Sequence, residues 1–253
     1  MNNAQKLLES KSKYEGKTFS TKFGDIQIVD YMSSKKVVVR FTNTGYITTT
    51  KLSLILSGQV KDKLKPSVVG VGIVGDESVK KNGKSTPEYS IWKSMLVRCY
   101  DNAYKDKFLT YQDCSVIDSF KHLKFFKDWC EKQKGFMCTD SKGKPYTLDK
   151  DILVKGNKVY SPETCCFVPE EINVLFTKSS KVRGKYPIGV CLNKQSTGFV
   201  ARLSCGQNKR KHLGTYKSAE EAFYAYKEAK EAYIKEVANK WKDTIDHRVY
   251  RLL

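Results

Sequence analysis

Thr147 to Phe176 reads TLDKDILVKGNKVYSPETCCFVPEEINVLF. An apolar lead-in from Tyr146 ends on two acids, Asp149 and Asp151, that flank Lys150. Gly156-Asn157 and Ser161-Pro162 supply turn residues, Cys165 to Val168 is apolar enough for a second strand, and Pro169-Glu170-Glu171 opens a helix. That helix carries Asn173 among Ile172, Leu175 and Phe176. An acid on a strand and an amide on a facing helix would converge on one hard cation through oxygen ligands, as Mg²⁺ requires. One reading is therefore a metal-dependent phosphodiesterase site. The plainer reading makes the same acids solvated loop residues or caps.

The chain has 253 residues, enough for two or three small domains with modest cores. Its 46 basic and 27 acidic residues leave a net charge of +19, which calls for a polyanionic partner, nucleic acid first. No stretch approaches the ~20 apolar residues of a membrane span, and MNNAQKLLESKSK has no apolar signal core, so a cytoplasmic protein is expected. Eight scattered cysteines without a Cys-x-x-Cys pair favour free, buried thiols; a zinc site from Cys114, Cys130, Cys138 and Cys165 has weak support.

Residues 1–14 read as a polar arm. Lys17 to Ser20, Asp25 to Tyr31, Lys36 to Thr42 and Tyr46 to Lys51 are short β-rich runs separated by turn residues, as in a small barrel or sheet. Lys35, Lys36, Arg40 and Lys51 with Tyr31, Phe41 and Tyr46 would make a basic, aromatic nucleic-acid surface; equally, the aromatics would be core. Lys61 to Lys84, rich in Gly, Val and Lys, reads as a linker. Thr86-Pro87 starts a helix with Ile91, Trp92, Met95, Leu96 and Cys99 on one stripe, and Ser119 to Lys132 makes a second helix. His122 on that second helix is a displaced base in one reading and idle in the other.

Ile172 to Ala219 contains ten Lys or Arg and no Asp or Glu. Within it, Tyr186 to Leu192, Phe199 to Ser204 and Lys209 to Tyr216 alternate as strands, and a long helix follows, with Ser218 and Glu221 as its capping box. Ala222, Ala225, Tyr226, Ala229, Tyr233 and Val237 form the stripe that packs on the sheet, leaving the other face free. Alternation puts Cys191, Asn193, Arg202, Ser204, Arg210 and His212 on that free face.

LDKD, GN, YSPE and the downstream Asn173 together resemble the phage-encoded homing subset of HNH, or ββα-metal, nucleases, and IWKSMLVRCYD resembles the helix that precedes their motif. The resemblance implies one Mg²⁺ or Mn²⁺ held by Asp149 and Asn173. Lys150 stands where the family has its His base, and Thr164, nine positions before Asn173, stands where it has its middle Asn. An ammonium binds phosphate more readily than it takes a proton from water, so Asp151 or a metal-bound hydroxide would have to substitute.

YPIGV, FVARLS, KHLGTY and AEEAFYAYKEA resemble the Apetala-two type DNA-binding domain of ethylene-response factors and phage nucleases, over about fifty residues. In that family the sheet enters the major groove. The resemblance implies base contacts from Arg202 and Arg210, and phosphate contacts from Lys185, Lys194, Lys209 and Lys211. Cys191 replaces the family's usual Arg, so the family's sequence preference does not carry over.

The expectation is a multi-domain α+β protein. It has an arm (1–14), a small β-barrel or sheet of nucleic-acid-binding type (15–70), a linker (71–85), an HNH-like domain (86–178), an Apetala-two type domain (184–239) and a tail (240–253). Its expected function is metal-dependent nicking of duplex DNA in a phage-infected bacterial cell. A catalytically degenerate, sequence-specific DNA-binding protein is the alternative, and an RNA-binding factor the third.

Overall fold

A computed structural model describes residues 3–176, 185–194, 197–205 and 210–253. The chain forms two compact units, Met1–Gln112 with Asp118–Lys127, and Asp113–Ile117 with Asp128–Leu253. Both mix helices with several small sheets, as the α+β reading requires. No helix among the described residues is long and apolar enough to cross a membrane.

The first unit opens with helix α1 (Asn3–Tyr14) where a polar arm was expected. The segment lacks an apolar stripe; what holds it is its last turn. Tyr14 stacks on Tyr31 at 5.8 Å, Lys11 reaches Asp30 at 3.3 Å, and Glu15 accepts the Tyr31 backbone N–H at 2.8 Å. Strands β1 (Thr18–Thr21), β2 (Gly24–Ser33), β3 (Lys36–Phe41) and β4 (Ile47–Thr50) form an antiparallel meander, close to the expected runs.

Ile26, Ile28 and Tyr31 of β2 pair with Phe41, Val39 and Val37 of β3, and all six are buried. Val29 is the extra residue of a bulge, which moves the inward face of β2 from even to odd positions. This overturns the reading of Tyr31 and Phe41 as a nucleic-acid surface: both are core. Arg40 faces away from Phe41 because successive residues alternate.

The short helix α2 (Leu52–Leu56) caps the sheet through Ile55. The stretch read as a linker is ordered and packed. Asp62 is buried, accepting from Thr44 at 2.7 Å and from the Leu64 N–H at 2.9 Å. Ile73 pairs with His122 through backbone bonds of 2.8 and 2.9 Å. Next comes a hairpin of β5 (Lys80–Lys81) and β6 (Lys84–Ser85).

Helix α3 (Pro87–Tyr100) starts as read, with the Thr86 hydroxyl accepting from the Tyr89 N–H, and buries Trp92, Met95, Leu96 and Cys99. Helix α4 (Asn102–Lys107) follows, capped by Asp101. The second helix expected over Ser119 to Lys132 is two, α5 (Asp118–Lys121) and α6 (Leu123–Cys130), because the bridge to Ile73 engages the Lys121 carbonyl and takes the Leu123 N–H out of helical bonding.

In the second unit, β7 (Ser115–Val116) pairs in parallel with β9 (Val159–Tyr160), and β8 (Thr147–Asp149) pairs antiparallel with β10 (Cys166–Val168). Helix α7 (Glu170–Phe176) follows β10 directly, giving the strand-strand-helix order read from the sequence. The rings of Trp129 and Phe136 pack at a tilt against that of Phe167.

Strands β11 (Val190–Leu192), β12 (Phe199–Ser204) and β13 (Arg210–Tyr216) make an antiparallel sheet on which α8 (Ala219–Trp241) lies. Ala201 and Leu203 meet Ala222 and Tyr226 in its core. Gly189, at φ +80°, sits under the Tyr226 ring, where a Cβ would lie 2.1 Å from a ring carbon. The capping box forms with one displacement: Ser218 accepts from the Glu221 N–H, while the Glu221 carboxylate accepts from the N–H of Lys217.

The tail, which the sequence left unread, packs onto the second unit. Trp241, Ile245 and Val249 are buried, Val249 in the last short helix, α9 (His247–Tyr250). Tyr146 and Thr244 share a hydrogen bond of 2.8 Å, and Arg248 donates to the Glu163 carbonyl at 3.0 Å.

Candidate metal centre and nucleic-acid interface

Asp149 ends β8 and is half-buried opposite Cys166. Its Oδ1 accepts the backbone N–H groups of Asp151 (2.8 Å) and Ile152 (2.9 Å), which fixes the carboxylate at the mouth of the loop. Burial raises the Asp149 carboxyl above its ordinary range, and the facing Asp151 carboxylate adds to the rise, against the two backbone bonds. Two facing oxygen donors, one partly desolvated and one exposed, suit a hard divalent cation that keeps part of its water shell.

No group of three His, Cys, Asp or Glu side chains among the described residues is placed to hold a metal. Cys114, Cys130, Cys138 and Cys165 are accordingly not gathered into a zinc site. The arrangement is compatible with Mg²⁺, which is commonly bound by one or two carboxylates and completed by water and substrate phosphate. Burial pushes the Cys165 thiol up to about 12 and that of Cys166 higher still, so both stay protonated core residues.

Lys150 does not face solvent. It is 8% exposed, with Nζ 3.5 Å from Asp151 Oδ2 and over the Tyr160 ring at 5.8 Å. In this position it holds Asp151 rather than reaching toward a bound phosphate.

The residue that secures the loop is Asn157. Its Nδ2 donates to the carbonyls of Lys150 (2.7 Å) and Val159 (2.6 Å), and its Oδ1 accepts from the Val159 N–H at 3.2 Å. Sequence reading gave Asn157 a turn role alone; its place seven residues after Lys150, behind a glycine, was the available signal. Thr164 donates to the Val159 carbonyl at 2.9 Å and shares a bond with Ser161, closing its own turn. Asn173 is half-buried in α7, its N–H bonded to the Pro169 carbonyl at 3.1 Å. His122 belongs to the first unit, where its ring meets Phe125 edge-on.

On the three-stranded sheet, Arg202 pairs across with His212 and Ser204 with Arg210, and all four are exposed. A bulge at Leu213 shifts the register so that these pairs align. Cys191, Arg202, Ser204 and Arg210 line one shallow concavity with Gly189 and Val190.

Asn193 is engaged elsewhere: its carboxamide donates to Thr197 Oγ1 at 3.0 Å and accepts the Thr197 N–H at 2.8 Å, closing the β11–β12 turn. Lys185, Lys194 and Lys211 are exposed around the sheet, and Lys209 lies outside the described residues.

Compared with protein-family models, curated proteins and solved structures, the chain matches none.

Proposed function

We propose that this protein binds duplex DNA through the open face of its C-terminal sheet and hydrolyses a phosphodiester bond at the Asp149–Asp151 carboxylate pair. The observation that carries the reading is the combination, in one compact unit, of that pair with a sheet face built from Arg202, Arg210 and His212. A strand-strand-helix order with an acid at the end of its first strand supports the likeness to the HNH nucleases; a three-stranded sheet on one helix supports that to the Apetala-two type domain.

In this reading Asp149 and Asp151 provide carboxylate ligands for Mg²⁺ or Mn²⁺, and Asn173 a neutral oxygen. Bound there, such an ion would supply polarisation of the scissile phosphate and charge stabilisation for the departing oxygen. The chain's own part is placement. Backbone N–H groups hold Asp149, Lys150 keeps Asp151 turned toward it, and Asn157 pins the loop between them. Arg202 and Arg210 read base edges in the major groove, while Lys185, Lys194 and Lys211 take phosphates. One such site cuts one strand.

A second reading is favoured by one observation: the position where these nucleases carry a His holds a buried lysine. The chain would then bind DNA on a scaffold that no longer cuts. Supercoiled plasmid incubated with Mg²⁺ or Mn²⁺ separates the two. Nicking by wild type and none by Asp149→Ala supports the nuclease; intact plasmid with tight, salt-sensitive binding by both supports the binding protein. Tighter binding to RNA than to duplex DNA at matched salt overturns both.

A further inference from the structure

We infer that the β5–β6 hairpin of the first unit is a preformed phosphate-binding projection, which rests on DNA being the partner. The sequence reads KKNGK from Lys80 to Lys84, and Lys80, Lys81 and Lys84 are all exposed. The turn is not a slack loop. Asn82 (φ +51°) and Gly83 (φ +76°) both have the positive φ of a type I′ turn, whose twist matches that of the strands it joins. A further backbone bond, Thr86 N–H to the Val79 carbonyl at 3.0 Å, extends the ladder and ties the hairpin to the start of α3.

In this register Lys81 stands directly across from Lys84. Like charges at opposed positions destabilise a two-stranded ladder, so the arrangement works against the hairpin's own stability. Among the described residues no carboxylate relieves it. The nearby acids Asp76 and Glu77 pair with Lys63 and Lys127, and Lys80, Lys81 and Lys84 enter no ion pair among the described residues. Two ammonium groups on one face of a two-strand tip, Lys81 and Lys84, with Lys80 on the other face and a built-in repulsion that a neighbouring polyanion would remove, suit the phosphates of a nucleic-acid backbone. Lysine ammoniums are compact point charges that bind phosphate without reading bases, so this contact would add affinity on any sequence.

The test is the salt dependence of binding to a duplex of arbitrary sequence, for the full chain and for the double variant Lys81→Gln/Lys84→Gln. Each phosphate contact contributes a slope of about −0.9 in log K against log salt, so the double variant should flatten the slope by about two. Lys84→Glu supplies a second readout. It places a carboxylate opposite Lys81 and should hold or raise the melting temperature while weakening DNA binding, a combination that a purely structural hairpin would not give. Wild-type binding with an unchanged slope in the double variant overturns this inference and leaves the proposed function standing. Failure of the wild type to bind duplex DNA overturns both.

Discussion

The indole N–H of Trp241 donates to Glu171 Oε2 at 2.8 Å, fixing the last turn of α8 to the first turn of α7. Lys240 reaches the same oxygen at 2.7 Å, and the Tyr233 hydroxyl donates to Oε1 at 3.5 Å. Helix α8 begins on the sheet that carries Arg202, so one carboxylate ties that sheet's helix to the element following the β8–β10 ladder. Glu171→Ala leaves the indole without its acceptor and should cost about 1–3 kcal/mol, toward the lower end because the site is partly solvated. Glu171→Gln keeps an acceptor and should cost less. Urea denaturation followed by tryptophan fluorescence would resolve the order.

The same carboxylate makes stability depend on acid. Burial alone would raise the Glu171 carboxyl, but bonds from Lys240 and Trp241 carry it below its ordinary range; at Asp246, burial is likewise outweighed by the bonds from Arg248. A carboxyl depressed in the folded state stabilises the fold above its unfolded pKa, and that contribution disappears as pH falls through the folded value. The melting temperature of the protein should therefore drop below about pH 4.5, where unfolded carboxylates take up protons. The drop should be shallower in Glu171→Gln, measured by thermal melts across that range; equal acid slopes would remove Glu171 as a source.

Asp149 carries the opposite sign. Burial and the facing Asp151 hold its carboxyl above the usual range, so it favours the folded state when protonated and loses that contribution as pH rises through the folded value. A cation at this pair competes with that proton. Affinity for Mn²⁺, followed by paramagnetic broadening or calorimetry, should strengthen as pH rises through and beyond the ordinary carboxylate range. Asp151→Asn removes a ligand charge and the repulsion together. It should weaken Mn²⁺ binding by ten-fold or more and restore Asp149 toward ordinary titration. Retention of full affinity in both Asp149→Ala and Asp151→Asn would move the cation elsewhere.

Legibility followed how local each determinant is. Thr86-Pro87, Ser218 with Glu221, and the turns between β1 and β4 act within a few residues, and the helices and strands they bound stand where the sequence puts them. The sequence leaves Tyr31 open between surface and core because the bulge at Val29 reverses the inward parity of β2, and no residue between Asp25 and Tyr31 announces it. The helix of residues 3–14 and the packing of Trp241 depend on partners far along the chain, Tyr31 and Glu171. At the candidate site the strand, loop and helix were legible, but the inward turn of Lys150 is not. A side chain just past a strand end points wherever the loop directs it, and here Asn157 directs the loop.

Asn157 bonds two carbonyls on opposite sides of the loop, so its removal should be felt at the proposed Asp149–Asp151 site as well as in stability. Asn157→Ala leaves the Lys150 and Val159 carbonyls without that donor and should cost about 1–3 kcal/mol. If the loop positions the carboxylate pair, plasmid nicking at a temperature where the variant remains folded should fall by at least ten-fold while DNA binding is kept. A variant that loses stability yet cuts at the wild-type rate would make Asn157 a purely structural tether.

Arg202 and Lys194 should fail in different ways. Arg202 lines the concavity of the open sheet face opposite His212; Lys194 is exposed in the turn after β11. Arg202→Ala should cost about 1–3 kcal/mol on the preferred sequence and much less on others, lowering the ratio between them. Lys194→Ala should weaken all sequences alike and flatten the salt dependence by about one ion. Competition binding against a randomised duplex pool, repeated at two salt concentrations, reads both quantities at once. Uniform losses from Arg202→Ala would place its guanidinium on a phosphate, and sequence preference would then have to come from Arg210, Ser204 or the shape of the duplex.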